Sequence, residues 1–387
     1  MHREKLMAPG PTAVPEQARL AMARTLIHHR SNAYRELMAE VRSGLKWIYE
    51  TDEEVLLVTS SGTGAFEAAM TNFSAPGDKV ICVGGGKFGA RWGDIGRTYG
   101  MDVVDVELDW GQALDPERLK AVLKAEADVA MVTVTASETS TGVFHPVEEL
   151  AQVVNDHSEA LFAVDGITAV GVHRLPMDEW DIDLLVAGSQ KAFAIPPGLG
   201  MIGVSARAWE RRDKIDVHPN YYFDLERERG RQANNQTAFT PAISVAVALR
   251  EVLKMMRQEG REALVERHRQ LSEATRAGVE ALGFEVLSKR HSHAVTAARV
   301  PEGIAAGEVV AAMRDDEGII IAGGQKHLKG KLIRVGHLGF VEPSDIRLTL
   351  GALENVMASL GCPVAPGQAL EAVQEVFSPT GQGAEGV

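Results

Sequence analysis

Lys191 ends the run Asp181-Ile-Asp-Leu-Leu-Val-Ala-Gly-Ser-Gln-Lys191, an apolar stretch that closes in small residues before it presents an amine. Such a run reads as a strand, and its last residues fall at the carboxyl edge of a sheet, where open α/β folds place ligands. An amine beside a desolvated pocket has a lowered pKa and can attack an aldehyde to form a Schiff base. Taken alone, Lys191 would more often be a solvated lysine just past a strand, and its neighbours decide the matter. Ala163-Val-Asp165-Gly166 places a carboxylate at the end of a second strand. There it can face a pyridine nitrogen and keep the ring protonated as an electron sink; the plainer role is a helix cap or a sheet-edge acid. Ser60-Ser-Gly-Thr-Gly64 lies between a strand and a helix, so its backbone N–H groups form a phosphate cradle at the helix start. Capping explains the Ser and Thr residues of that turn, but not three small positions so close together. Lys331-Leu-Ile-Arg334-Val reads as a strand whose guanidinium, with Gly336 and Gly339 leaving room beside it, can pair bidentately with a carboxylate. A masked aldehyde, a protonated pyridine and a phosphate together describe pyridoxal phosphate (PLP).

Other motifs carry less. Gly84-Gly-Gly86-Lys-Phe-Gly89 fits G-x-G-x-x-G after a strand, with Asp105 downstream as a candidate ribose-binding acid. That would suggest a nicotinamide-dependent dehydrogenase, but a lone match is common and this one does not follow the first strand. Phe88 gives the segment another use, as an aromatic plate stacked on a cofactor ring. His291 and His293 share a strand face without a third ligand and read as surface residues, so no metal is expected. His28-His29-Arg30 lies before a helix, as a capping cluster or a contributor to the site. No H-E-x-x-H, C-x-x-C or G-x-S-x-G occurs.

These residues need a scaffold, and the sequence supplies one. Apolar runs at 55–59, 79–83, 102–106, 129–135, 160–164, 184–187 and 199–204 read as strands, nearly continuous because helices cover both sheet faces. Helical stretches at 65–73, 116–126 and 146–156 alternate with them, two opening on Pro116 and Pro146. This is the α/β pattern of a mostly parallel sheet. A helical region from Ile243 to Leu282 bridges to a smaller second domain. In it, 284–287, 294–300, 318–321 and 331–335 read as strands, and 306–314 and 344–360 as helices. The expected division is an extended arm over 1–20, a large domain over 21–265, a small domain over 266–377 and a Gly-rich disordered tail over 378–387.

Bulk properties exclude several classes. At 387 residues the chain is too long for one compact core. A net charge of −13 argues against non-specific nucleic-acid binding and against docking on an anionic membrane. No apolar run is long enough to span a bilayer, the first residues lack a signal-peptide core, and Cys82 and Cys362 suggest no disulfide framework. A cytoplasmic protein is expected.

Taken together, these residues resemble the class V, fold type I PLP aminotransferases, particularly the alanine–glyoxylate and serine–glyoxylate or serine–pyruvate branch. The resemblance runs from Ala8-Pro-Gly-Pro-Thr12 to Arg334-Val-Gly-His-Leu-Gly339, and Gly188-Ser-Gln-Lys191-Ala with Pro196-Pro-Gly198 is its most specific part. Ser61-Gly-Thr-Gly64, Glu138-Thr-Ser-Thr-Gly142 and Val164-Asp165 keep the family's order and spacing. The resemblance implies a seven-stranded, mostly parallel sheet in the large domain and an α+β C-terminal domain. It also implies that Lys191 is the Schiff-base and proton-carrying lysine, with Asp165 on the pyridine nitrogen. Ser61, Gly62, Thr63, Gly64 and Gln190 would lie at the phosphate, Thr139 at the ring's polar edge and Phe88 on its face, where the family often has tryptophan. Thr240, in Phe239-Thr-Pro241, would reach the phosphate of a partner subunit in a homodimer, and Arg334 would grip the substrate α-carboxylate. The implied reaction is ping-pong transamination from a small amino acid, alanine or serine, to glyoxylate or pyruvate. Ureidoglycine–glyoxylate transamination, a lyase or desulfurase reaction, and a non-enzymatic subunit of a larger assembly stay open beside it. A desulfurase would need a thiol on a mobile loop, which neither cysteine offers.

Overall fold

The computed structural model describes residues 4–378 of the chain, so of the expected tail all but Ser378 lies outside the described residues. Its centre is a seven-stranded sheet of β1 (Glu54–Val58), β2 (Lys79–Val83), β3 (Asp102–Val106), β4 (Val129–Thr135), β5 (Leu161–Asp165), β6 (Leu184–Gly188) and β7 (Gly200–Val204). The spatial order is β1-β7-β6-β5-β4-β2-β3, with β7 antiparallel to both neighbours and the other pairings parallel.

Alternation along each strand separates two apolar layers. Val80, Cys82, Met131, Leu161, Ala163, Leu184 and Val186 pack with Phe66, Met70, Phe73 and Trp92, from helices Gly62–Phe73 and Gly89–Thr98. Their neighbours Ile81, Val83, Val132, Val134, Phe162, Val164 and Leu185 face the other way, onto helices Asn32–Tyr49, Val147–His157 and Ile243–Glu259. Side chains alternate across a strand, so a run covered on both faces must be apolar throughout. The strands expected at 79–83, 102–106 and 129–135 have those bounds; those at 55–59 and 160–164 slide by one residue at both ends, and those at 184–187 and 199–204 differ by one residue at one end. Asp115 caps Pro116–Ala125 by accepting Glu117 N–H, whereas Pro146 stands one position ahead of its helix, as the cap.

The helical bridge divides at Gly260, whose φ of 88° cannot continue a helix, into Ile243–Glu259 and Arg261–Ala281. Arg261–Ala281 gives Leu264 to the large apolar cluster and Leu271, Ala274 and Val279 to a second one. Over this second core lies the antiparallel sheet of β8 (Glu285–Val286), β9 (Val295–Arg299), β10 (Ala322–Gly323) and β11 (Leu332–Gly336), in the order β8-β9-β11-β10. Helices Ala306–Asp315 and Pro343–Ser359 pack beneath it, joined by Gln368–Phe377, which the Pro- and Gly-rich approach at 363–367 conceals in the sequence. Two expectations change. Ile319–Ile320 pairs with Lys5–Leu6 of the N-terminal arm instead of entering the four-stranded sheet. The arm itself turns helical at Glu16–Met22, a helix that begins inside the expected extended span and runs two residues past it, and packs there on Ile243–Glu259.

Candidate active site

Asp165 is the last residue of β5, and Lys191 follows β6 by three residues, so adjacent parallel strands deliver both to one sheet edge. The Asp165 carboxyl is 4% exposed and accepts Ile167 N–H at 2.9 Å and the Thr135 hydroxyl at 3.2 Å. Burial pushes it up to about 7, helped by the nearby Glu138 carboxylate and opposed by those hydrogen bonds and by Arg91. Lys191 shifts the other way, down to about 8. Burial is the main cause, Asp165 opposes it, and the cations Arg334 and Arg91 add to it. Its amine donates to Pro9 O at 2.5 Å, while Thr12 hydroxyl donates to Lys191 O at 2.8 Å. The N-terminal arm therefore crosses directly over the lysine. Gly10 allows this approach: a Cβ there would lie 2.5 Å from Lys191 Nζ.

Ser61 caps the helix Gly62–Phe73 without a side-chain hydrogen bond. The first N–H groups of that helix have no intrahelical partner and point to where the phosphate reading requires an anion. Arg91 adds a cation there, donating to Thr63 hydroxyl at 2.8 Å, and its guanidinium lies 4.8 Å from the Phe88 ring centre. Gln190 has a buried side-chain oxygen with no hydrogen-bond partner among the described residues. Across the cleft, Arg334 is 6% exposed, donating from Nε to Gly323 O at 2.9 Å and from Nη1 to Thr139 O at 3.0 Å. No carboxylate among the described residues forms an ion pair with it, and burial lowers its pKa against the pull of Glu138.

The glycine-rich loop at 84–89 has its anion already. Glu138, fully buried, accepts N–H groups of Phe88 at 2.8 Å and Gly89 at 3.0 Å, where a dinucleotide would place pyrophosphate. That occupancy removes the support for a nicotinamide enzyme. Thr240 is exposed and lines a recess with Tyr34, Thr59 and Tyr222, none of which the sequence places at the cofactor. His28 and Arg30 are exposed; Arg30 bonds Gln236 Oε1 and Thr237 O and so ties two loops. His291 and His293 are not surface residues: both are half-buried, and His293 stacks on His173 at 4.2 Å. Cys82 is buried in β2, its thiol pushed up to about 12 by burial. Sequence reasoning gave no role to Pro9, Gly10, Arg91 or Glu138, although all but Arg91 lie in motifs that carried the resemblance.

The model of the class-V aminotransferases matches residues 16–347. The chain belongs to that family. A relative in Synechococcus, named soluble hydrogenase small subunit, is 42% identical over 96% of this chain and 98% of its own length. L-aspartate–glyoxylate aminotransferase of Paracoccus denitrificans is 33% identical over 97% of this chain and 96% of that protein. Among solved structures, ureidoglycine–glyoxylate aminotransferase of Bacillus subtilis superposes with a TM-score of 0.92 at 27% identity, covering 97% of this chain and 98% of that one. This class-V chain is thus a PLP-dependent transaminase by family and by fold. The chemistry of its donor set fits the cofactor: a depressed amine for the aldehyde, a buried acid for the pyridine and a helix start for the phosphate.

Proposed function

We propose that the chain holds pyridoxal 5′-phosphate through Lys191 and moves an amino group from a small amino acid, alanine or serine, to glyoxylate or pyruvate. Arg334 is the observation that carries this reading. It is a buried guanidinium oriented by two carbonyls, without a carboxylate of its own among the described residues, near an amine whose pKa burial lowers to about 8. A substrate α-carboxylate would complete it. Asp165 would face the pyridine nitrogen, Thr139 the ring's polar edge and Phe88 its face. The turn at 61–64, with Gln190, would hold the phosphate. Bound there, the cofactor supplies an electron sink for the Cα–H bond that Arg334 orients. Lys191, with a pKa of about 8, is suited both to take and to return the α-proton.

A small donor is supported by the arm, which closes the space above the amine at Gly10. Glyoxylate as acceptor is supported by the names of the Paracoccus and Bacillus proteins. Exposed Tyr221 and Tyr222, which pack on Phe239 next to Thr240, support pairing of two copies, with Thr240 reaching the partner's phosphate. No helix among the described residues is long and apolar enough to cross a membrane. With both cysteines free, a cytoplasmic site of action is the reading we favour.

The name of the Synechococcus relative favours one other reading, a subunit of a larger assembly. A donor-by-acceptor matrix, followed through the cofactor's visible absorbance, separates the two. The expected outcome is turnover with alanine or serine and glyoxylate, with both absorbance and turnover lost in Lys191→Ala. Turnover retained by that variant would sink the assignment, and a wild-type protein inert across the matrix would favour the subunit.

A further inference from the structure

We propose that Glu138 is a positioning residue whose buried carboxylate holds the aromatic plate Phe88 and the clamp Arg334 in register. Its Oε2 accepts the N–H groups of Phe88 and Gly89, and its Oε1 accepts Ser140 N–H at 2.9 Å and Ser140 hydroxyl at 2.6 Å. Among the described residues no cation pairs with it. A fully buried carboxylate supported only by neutral donors is costly to desolvate, and these four donors offset that cost in one geometry alone. Each pair of donors leads to a different part of the site. Phe88 lies on the loop after β2, 50 residues away. Thr139, between Glu138 and Ser140, gives its carbonyl to Arg334 Nη1 across 195 residues. Gly86 leaves the room this needs, since a Cβ there would lie 2.2 Å from the Glu138 side chain. The carboxylate thus occupies the N–H nest of the loop and ties cofactor plate to substrate clamp.

This inference rests on the reading of the site as a PLP transaminase, and one arm of its test needs no cofactor. Glu138→Gln keeps the shape but turns an NH2 group toward one pair of donors, so either the Phe88 loop or Ser140 loses its acceptor. In cofactor-free Glu138→Gln, amide exchange at Phe88 and Gly89, or at Ser140, is expected to accelerate at least tenfold. Affinity for pyridoxal phosphate should weaken, and KM for the amino acid rise, each by about tenfold or more, with kcat changed less. Faster exchange with wild-type affinity and KM would reduce Glu138 to a brace of the fold and overturn the proposal. Unchanged exchange would overturn it as well. Should Glu138→Gln fail to fold, Ser140→Ala removes one donor and predicts a smaller rise in KM, two- to fivefold; a wild-type KM there counts against the proposal. Wild-type protein that leaves pyridoxal phosphate unbound would sink the reading of the site, whatever the exchange rates show.

Discussion

Asp165 carries a testable consequence of its burial before any cofactor binds. An unfolded aspartate ionises near 3.8, whereas in the fold this one ionises near 7. Between those values the folded chain holds a proton that the unfolded chain has released, so folding is favoured on the acid side. That contribution is fully present below about pH 4 and is lost as pH rises through about 7. Asp165→Asn removes the titration, and the cofactor-free variant should therefore melt above wild type at pH 8, the gap shrinking at pH 5. The variant should also bind pyridoxal phosphate more weakly, since an amide cannot pair with a protonated pyridine as a carboxylate does. Thermal melts at the two pH values check the first part; a variant less stable than wild type at pH 8 contradicts it. Lys191, Asp165 and Arg334 were legible in the sequence because each reactive type ends or interrupts an apolar strand. Glu138 was not, because its meaning lies in a contact with a loop 50 residues away. Spacing along the chain carries no trace of that contact.

At the scale of elements, the arm does what its Pro-rich sequence only hinted. Lys5–Leu6 pairs with Ile319–Ile320, Met7 enters the second core and its carbonyl accepts Gly336 N–H at 2.6 Å. Pro9 and Thr12 then bond the lysine segment, so the arm laces the second core and its four-stranded sheet to Lys191. Gly10 is the vulnerable point, with a φ of 113° and the lysine side chain against its Cα. A side chain there adds backbone strain of about 1–3 kcal/mol and displaces either the arm or the amine. Gly10→Ala should lower the melting temperature of the cofactor-free protein and weaken pyridoxal phosphate uptake at least tenfold, read by titration of the visible absorbance. Wild-type uptake would show that the arm tolerates displacement. The central strands were readable because both faces are buried and the runs are continuously apolar. The arm's docking and the helix Gln368–Phe377 were not: tertiary packing, rather than local propensity, stabilises a two-residue strand and a short helix bounded by Pro and Gly.

Across the whole molecule, the two cores meet at a group of histidines that the fold keeps neutral. Phe144, His173 and His293 form a stack with ring centres 3.7 and 4.2 Å apart, the first two from the stretch of chain that carries the seven-stranded sheet and the third from the segment before β9. His173 Nε2 accepts His293 N–H at 2.9 Å, and His268 Nε2 accepts Gly339 N–H at 3.1 Å. His145 Nδ1 likewise accepts Leu114 N–H at 3.0 Å. A ring nitrogen that accepts cannot carry a proton, so protonation breaks each of these bonds. Burial is the main cause that lowers His173 and His268 well below the usual range, His145 and His293 to about 4 and His337 to about 3. Nearby cations add to this, Arg290 at His145 and His173, Arg267 at His268, and Arg276 at His293 and His337; Glu266 opposes it at His293. In the unfolded chain each would bind a proton as pH falls through 6.5. The unfolded state then holds more protons than the fold, so stability is present above about 6.5 and is lost as pH falls toward 4. Asp165 and Glu228, both raised by burial, act in the opposite sense over part of that range, but they are two groups against five. Unfolding at pH 5.5 is therefore expected to take up more than two protons, each contributing about 1.4 kcal/mol per pH unit to the slope of stability. His268→Gln, whose amide oxygen can still accept Gly339 N–H, should reduce that uptake by about one proton. Denaturant unfolding of cofactor-free protein from pH 5 to 8 measures it, and a flat or inverted slope would mean that these histidines take up protons in place, before the chain unfolds.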